Sequence, residues 1–90
     1  DASLHASPNP TSTGTELSFQ SSGLSPLKLE VFDTAGRLVS AENLGTLPAG
    51  SQTHYWAGFD GNGHFLAQGV YFLRLSSSEL EASTRVVLLR

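Results

Sequence analysis

Two runs in the last third of the 90-residue chain indicate its fold: Trp56-Ala-Gly58-Phe-Asp60-Gly-Asn-Gly63, and then Gly69-Val-Tyr71-Phe-Leu73-Arg-Leu75. In the first run, an aromatic strand end leads into a turn made of Gly, Asp and Asn, which are the residues that tight turns favour. In the second run, a glycine opens a strand whose first inward residue is Tyr71. This order is typical of a small β-sandwich, and it describes a scaffold rather than an active site.

Apolar and polar residues alternate along much of the chain. Leu17 and Phe19 lie on the same face of one predicted strand, and Leu29 and Val31 lie on the same face of the next. A period of two predicts strands with one buried face, and no window has the sustained period of a helix. The residues expected in the core are Leu17, Phe19, Leu29, Val31, Trp56, Tyr71, Leu73 and Val87.

Turn residues punctuate the chain at the spacing of roughly 8–12 residues that is typical of sandwiches. One hairpin turn is predicted at Asp33-Thr-Ala-Gly36, with glycine where φ becomes positive. The fold class predicted is all-β, an immunoglobulin-like (fibronectin III-like) antiparallel β-sandwich of about seven strands, with residues 1–90 as a single domain. Tyr71 is expected to form a tyrosine corner, with its ring in the core and its hydroxyl on backbone. The predicted strands lie near Leu4 and at 15–20, 27–33, 37–40, 52–56, 70–76 and 83–90.

Composition excludes several classes of function. The net charge of −3 argues against a nucleic-acid partner, which requires a basic face. The absence of cysteine removes disulfides, thiolate metal sites and cysteine nucleophiles. No apolar run approaches the ~20 residues of a membrane span. Because the chain starts at Asp1 without a methionine or a signal peptide, we expect it to be a fragment of a longer protein or a processed product.

The candidate chemical sites favour structural interpretations. The run from Asp60 to His64 resembles the start of a calcium loop, but it lacks the later glycine and glutamate of that loop. The histidines His5, His54 and His64 lie on separate segments, although the parity of His54 with Trp56 suggests partial burial.

Nothing in the sequence indicates catalysis. No serine stands in a nucleophile elbow, and the close carboxylates Glu79 and Glu81 fall in a predicted polar turn. We therefore expect no catalytic residue, no cofactor, no metal site and no enzymatic activity.

Phe32 and Phe72 have outward parity on strands expected to be neighbours. If they pair, Glu30 falls opposite Arg74 and Lys28 opposite Ser76. This outer face is a candidate surface patch for docking or for stacking of a polysaccharide. The alternative is a ladder of side chains that stabilises the sheet.

The run Val86-Val87-Leu88-Leu89 breaks the alternation. One interpretation is a strand covered on both sides, or a tail that folds over. The other is an edge strand offered to a partner by β-augmentation, flanked by Arg85 and Arg90.

The turn and strand motifs, taken in order, resemble a known family. From Pro8 onwards the chain is similar to the C-terminal immunoglobulin-like modules of exported bacterial proteins, which include the type IX secretion sorting domain and the module of the flagellar hook-capping protein FlgD. The matching pieces are Pro8-Asn9-Pro10, Leu29-Glu-Val-Phe-Asp33, Gly36-Arg37-Leu-Val39, Leu47-Pro-Ala-Gly50, Trp56-x-Gly58-x-Asp60-x-x-Gly63, Gly69-Val-Tyr-Phe72 and Arg85-Val-Val-Leu-Leu-Arg90. The chain departs from the family's pattern at Ala57, where Asp is usual, and at His54, where a small apolar residue is favoured.

The resemblance implies a non-catalytic sorting and secretion module at the C-terminus of a protein. Its partners would be the outer-membrane export machinery and an upstream passenger, which it would direct through the periplasm to the cell surface or the medium of a Gram-negative bacterium. The alternative is a structural or carbohydrate-binding accessory module of an extracellular enzyme or of a FlgD-like assembly protein. The recognition candidates are Gly36, Arg37, Gly69, Tyr71, Val86, Val87, Leu88, Leu89 and Arg90.

Overall fold

The computed structural model describes residues 3–90, which fold into seven β-strands. The strands are β1 (Leu4–Ser7), β2 (Thr15–Ser21), β3 (Leu27–Phe32), β4 (Leu38–Gly45), β5 (Gly50–Trp56), β6 (Gly69–Ser76) and β7 (Glu81–Leu88). Residues 3–90 form no helix with the length and apolar character that crossing a membrane would need.

The strands form two antiparallel sheets that pack face to face. One has three strands in the order β1-β2-β5, and the other has four in the order β4-β3-β6-β7. The chain crosses between the sheets after β2, β3 leads into β4 by a hairpin, and β5 returns to the three-stranded sheet. This arrangement confirms the predicted immunoglobulin-like sandwich of the fibronectin III-like kind.

The core lies between the sheets and follows the predicted parity. The alternating burial along β2 and β3 shows why these sequences form strands, since every second side chain is removed from water. The buried apolar residues are Leu4, Leu17, Phe19, Leu27, Leu29, Val31, Trp56, Leu66, Tyr71, Leu73, Leu75, Ala82, Val86 and Leu88.

One predicted core residue is wrong. Val87 is only partly buried, whereas its neighbours Val86 and Leu88 are each 0% exposed. The register explains the difference, because Val86 lies opposite the inward-facing Tyr71 and Val87 lies opposite Val70. Because every residue of this run is apolar, the sequence does not show which residues of β7 face the core.

The limits of several strands also differ from the prediction. β4 continues to Gly45 rather than ending at Ser40. The sequence did not predict this extension, because β4 lies at the edge of its sheet, where most of its side chains are exposed and the alternating pattern is weak. β7 begins at Glu81, which pairs with Ser76, rather than at Ser83, and it ends at Leu88 rather than at Arg90. β5 begins at Gly50 rather than at Gln52.

A candidate recognition surface at one pole of the sandwich

The loops that follow β1, β3 and β5 meet the end of β7 at one end of the sandwich. We call this end, formed by residues 8–14, 33–37, 57–68 and 89–90, the C-terminal pole. Arg90 donates hydrogen bonds to carbonyl oxygens of Ser12, Gly58 and Leu66, which shows that the loop after β1, the loop after β5 and the chain end are in contact. The pole brings together Gly36, Arg37 and Arg90 of the predicted recognition residues, with Gly69 at the adjoining start of β6.

The hairpin between β3 and β4 is held by the side chain of Asp33. Its Oδ1 accepts hydrogen bonds from the backbone N–H of Ala35 at 2.9 Å and of Arg37 at 3.0 Å. Gly36 has a φ of +83°, which confirms the predicted need for glycine. The Arg37 guanidinium lies 2.9 Å from Asp33 Oδ2. The hydrogen bonds from the Arg37 backbone and side chain hold the pKa of Asp33 below its ordinary value.

The turn at Asp60 repeats this geometry. Asp60 Oδ1 accepts from the backbone N–H of Asn62 at 2.8 Å and of His64 at 3.0 Å, and Gly63 has a φ of +81°. The bond from the His64 backbone is the first cause of a lowered pKa at Asp60. Both turns therefore share the pattern Asp-x-x-Gly followed by a basic or imidazole side chain. The Asp60 carboxylate accepts hydrogen bonds from the backbone of its own turn, which agrees with the interpretation of this run as a turn.

Tyr71 forms the predicted tyrosine corner. Its ring is 7% exposed, and its hydroxyl donates a 2.7 Å hydrogen bond to the carbonyl oxygen of Ala67. The ring centre lies 6.2 Å from that of Trp56, with the planes tilted by 57°. Burial raises the pKa of Tyr71, and the charge of Asp33 adds to that rise while Arg90 opposes it.

Arg90 links two loops of the C-terminal pole to the chain end. Its guanidinium donates to the carbonyl oxygens of Leu66 at 2.8 Å, Gly58 at 3.1 Å and Ser12 at 3.3 Å. The same group lies over the ring of Phe65, 4.6 Å from its centre, and Phe65 stacks on Phe59 at 4.6 Å. A planar cation with five donors suits this task, because it satisfies several loop carbonyls at once. The sequence identified Arg90 as the flank of an apolar run and as a recognition candidate, but it gave no sign that Arg90 links these loops.

The outer edge of β7 is covered near the pole by the segment that follows β1. The Asn9 side chain accepts from the Val87 N–H at 3.0 Å and donates to the Arg85 carbonyl at 2.7 Å. Thr11 then donates to the Val87 carbonyl and accepts from the Leu89 N–H, both at 2.9 Å. Sequence reasoning missed this role, since Pro8-Asn9-Pro10 was used only as one piece of the family resemblance. The edge of β7 along residues 85–89 is therefore paired with the segment after β1 and is not free for β-augmentation there, while the side chain of Leu89 is exposed.

The pair Phe32 and Phe72 lies on the outer face of the four-stranded sheet in the predicted register. Phe32 is opposite Phe72, Glu30 opposite Arg74 and Lys28 opposite Ser76. Phe72 is 43% exposed. The Arg74 guanidinium lies 5.0 Å from the centre of the Phe32 ring and 2.8 Å from Glu30 Oε1. That hydrogen bond is the first cause of a lowered pKa at Glu30.

The three histidines lie on separate segments, which are β1, β5 and the loop after β5. His54 has a side chain 25% exposed, as its parity predicted, and its Nε2 lies 3.2 Å from Glu42 Oε1. Within residues 3–90, no three histidine, cysteine or acidic side chains are grouped so as to hold a metal ion. Glu79 joins two loops at the opposite end, where hydroxyls of Ser22, Ser25 and Ser78 donate to it and lower its pKa, Ser25 most.

The two-sheet topology and the tyrosine corner define the chain as an immunoglobulin-like β-sandwich domain. Comparison with protein families supports a narrower assignment, since the pattern of the FlgD Ig-like domain matches residues 6–81. The chain therefore belongs to the FlgD Ig-like domain family. The comparison with curated proteins gave no match. The matched range ends at Glu81, so the recognition candidates Val86–Arg90 lie outside it.

Proposed function

We propose that this chain is a non-catalytic accessory module of a larger exported protein, displayed outside the cytoplasm as a rigid folded unit. The supporting observation is the use of polar side chains at the C-terminal pole. Asp33 and Asp60 each accept two backbone N–H groups, and Arg90 donates to three carbonyl oxygens. Groups that hold loops in this way serve a rigid scaffold, which is what an appended structural module requires.

Family membership supports the same proposal. A FlgD-like assembly protein of the flagellar hook is one setting for such a module, and an extracellular enzyme with an appended domain is another. In the second setting, Phe32 and Phe72 would dock the module or stack on polysaccharide, since the outer face presents an aromatic pair beside the Arg74–Glu30 ion pair.

The variant Phe72→Ser tests the docking face. Loss of pelleting with insoluble polysaccharide, or of binding to the parent protein, by a variant that still folds supports docking. A variant that is only less stable supports the ladder interpretation instead. Leu24→Ser is the matched control, because Leu24 is 79% exposed in the loop after β2, away from this face.

A second candidate function is C-terminal sorting, in which the type IX export machinery of a Gram-negative outer membrane recognises the domain. The observation that favours it is the convergence of Gly36, Arg37 and Arg90 at one pole, beside the exposed Leu89. The domain would then carry its upstream passenger through the periplasm to the cell surface or the medium.

Deletion of Val86–Arg90 does not test sorting, because it removes Val86 and Leu88 from the core and would unfold the sandwich. A sharper test places Arg37→Glu and Leu89→Ser in the full-length protein, since the Arg37 side chain is 80% exposed and neither change alters the core. Sorting predicts that the passenger stays in the periplasm, while Arg85→Glu on the exposed face of β7 leaves export normal.

The composition of the mature exported protein distinguishes the two candidate functions. Mass spectrometry that finds residues 1–90 on the exported product supports the accessory module. Their removal during export, together with periplasmic retention of the Arg37→Glu/Leu89→Ser variant, supports sorting. Normal export of that variant contradicts sorting and leaves the accessory proposal standing.

A further inference from the structure

The two sheets contain unequal numbers of strands, which leaves one strand uncovered. The sheet β1-β2-β5 has three strands, and the sheet β4-β3-β6-β7 has four. At one side of the sandwich β1 packs against β7, so the outermost strand at the other side of the larger sheet, β4, has no counterpart in the smaller sheet. β4 therefore projects beyond β5, and no other strand of residues 3–90 lies over its inner face.

The inner face of β4 carries two apolar side chains with a carboxylate between them. Glu42 lies opposite the buried Leu29 and so has inward parity, yet its side chain is 46% exposed. Val39 and Leu44 pack against the core but are only partly buried. His54 of β5 reaches Glu42, with Nε2 3.2 Å from Oε1, so a side chain that projects from the smaller sheet can contact this carboxylate.

β5 presents a free backbone edge beside that uncovered face. Residues 50–56 pair with β2 without a register shift, and outside that ladder their backbone bonds to no other backbone group of the described chain. Natural sheets protect their edges with bulges, prolines and charged side chains, and residues 50–56 contain no bulge, proline, lysine, arginine or carboxylate. By contrast, β4 has register shifts near both ends, and its Val39 carbonyl accepts from the Gly61 N–H at 3.0 Å. β5 is therefore the edge better suited to strand addition.

The space between the two edges selects the charge of a segment that enters it. A cleft of about 350 Å³ lies between residues 40–42 of β4, residues 55–57 and residues 59–61 of the following loop. Its wall contains the carboxylates of Glu42 and Asp60 and no lysine or arginine. Two carboxylates without a basic residue in the same wall attract a cation and repel an anion.

A second copy of the chain does not fit this edge. Antiparallel pairing of β5 with the β5 of another copy would join the two three-stranded sheets and keep both four-stranded sheets on the same side of the joined sheet. Because β4 projects beyond β5 in each copy, each projecting strand would collide with the larger sheet of the other copy. A single extended segment meets no such obstacle.

We propose that the β5 edge binds an extended peptide segment of a partner protein, which adds a fourth strand to the three-stranded sheet and covers β4. Its inward side chains, at every second position, are an apolar residue, a lysine or arginine, and another apolar residue. The basic residue pairs with Glu42, and the apolar residues pack on Val39 and Leu44. In this mode of recognition the main-chain hydrogen bonds supply affinity and the alternate side chains supply specificity.

This surface is separate from the outer-face pair Phe32 and Phe72, because it lies at the edges of the two sheets. The inference does not depend on whether the module is kept or removed during export. Its failure therefore leaves both candidate functions standing, and their failure leaves the β5 edge as it is.

The experiment titrates the 90-residue chain with the peptide Ac-Thr-Val-Thr-Lys-Thr-Val-Thr-NH2, which places valine, lysine and valine on one face of a strand. One counterpart has glutamate in place of the lysine. Another has proline in place of the two threonines beside the lysine, which keeps the charge but prevents strand pairing. NMR follows the amide shifts up to about 2 mM peptide, so that a dissociation constant near 1 mM is covered. With the lysine peptide we expect saturable shifts in residues 39–44 and 50–56, and slower hydrogen exchange at alternate amides of β5.

Glu42→Gln removes the charge that the lysine meets and should weaken binding of the lysine peptide roughly tenfold. Glu16→Gln is the matched control, because it removes a carboxylate from the exposed face of β2, outside the cleft wall, and should leave the affinity unchanged. Thermal unfolding of both variants verifies that they are folded.

The proposal is overturned if the lysine peptide gives no saturable shift, or if the shifts map to Phe32 and Phe72 instead of the two edges. Equal binding of the lysine peptide and either counterpart also overturns it, as does unchanged binding by Glu42→Gln. Sedimentation that shows the chain associating with itself, with its own β5 amides protected, would make a second copy the occupant and overturn the proposal as well.

Discussion

The hydroxyl of Tyr71 donates a 2.7 Å hydrogen bond to the carbonyl oxygen of Ala67, four residues earlier in the chain. This bond ties the start of β6 to the long loop before it, while the ring packs beside Trp56. We expect Tyr71→Phe to lower the free energy of unfolding by about 1 kcal/mol, the net value of one such hydrogen bond. The measurement is urea denaturation followed by tryptophan fluorescence.

Tyr55→Phe is the control for that prediction, because Tyr55 is 55% exposed and the loss of its hydroxyl should change the free energy of unfolding by less than about 0.5 kcal/mol.

The pH dependence of stability supplies a second check on the role of Tyr71. The pKa of Tyr71 is raised above its ordinary value of 10.0, so the unfolded chain ionises first as the pH rises past that value. Stability from this group is complete below pH 10 and is lost above it, and Tyr71→Phe should flatten that decline. Equal slopes would contradict the buried corner.

The paired turns predict how the protein responds to acid. The pKa values of Asp33 and Asp60 are both held below the ordinary 3.8 by backbone hydrogen bonds. The folded state therefore binds fewer protons than the unfolded state in this window, so stability present at neutral pH is lost as the pH falls from about 5 towards 2. The double variant Asp33→Asn/Asp60→Asn should show a shallower decline, measured by thermal unfolding across that range.

Part of the acid response remains in the double variant, because Glu30 and Glu79 also have lowered pKa values. Ser18→Ala on the exposed face of β2 is the control and should leave the slope unchanged, because neither side chain carries an ionisable group. Parallel curves for the parent chain and the double variant would show that the turn carboxylates do not link folding to pH.

The sequence predicted the parts of the molecule in which local chemistry and the two-residue period agree. The pairing of Phe32 with Phe72 followed from parity and the expected strand order, and the Asp33 turn followed from its residues. The phase of β7 could not be predicted, because Val86–Leu89 is apolar on both parities. The roles of Asn9 and Arg90 also could not, since each depends on partners at least 24 residues away in the chain. The cleft lined by residues 40–42, 55–57 and 59–61 could not be predicted either, because it lies between two sheet edges whose relative position is set only by the completed sandwich.

Gly36 provides a test of whether a recognition candidate acts through the backbone. Its φ of +83° lies in the left-handed region, and an added Cβ would meet no atom within 4 Å. Gly36→Ala should therefore cost about 1–2 kcal/mol of stability through backbone strain alone. Gly36→Asn should cost less, because Asn adopts this conformation more readily.

The comparison residue is Gly61, whose backbone lies outside the left-handed region and whose added Cβ would come no closer than 3.9 Å to the Val39 carbonyl. Gly61→Ala should be neutral or stabilising by up to about 1 kcal/mol. Chemical denaturation of the three variants measures these differences. If Gly36→Ala keeps full stability yet abolishes export, then Gly36 acts in recognition and the strain argument is wrong.

The Asn9 side chain covers part of the β7 edge, next to the backbone hydrogen bonds that Thr11 makes with the same strand. Asn9→Ala removes both of its hydrogen bonds to β7, which should lower the free energy of unfolding by about 1–2 kcal/mol. It also exposes the Arg85 carbonyl and the Val87 N–H, and an uncovered edge can pair with another chain. We therefore expect concentration-dependent association of Asn9→Ala in analytical ultracentrifugation, whereas Asn43→Ala on the exposed edge strand β4 should sediment as the parent chain does. A destabilised variant that stays monomeric would show that Asn9 holds the fold without guarding the edge, and an unchanged variant would contradict both roles.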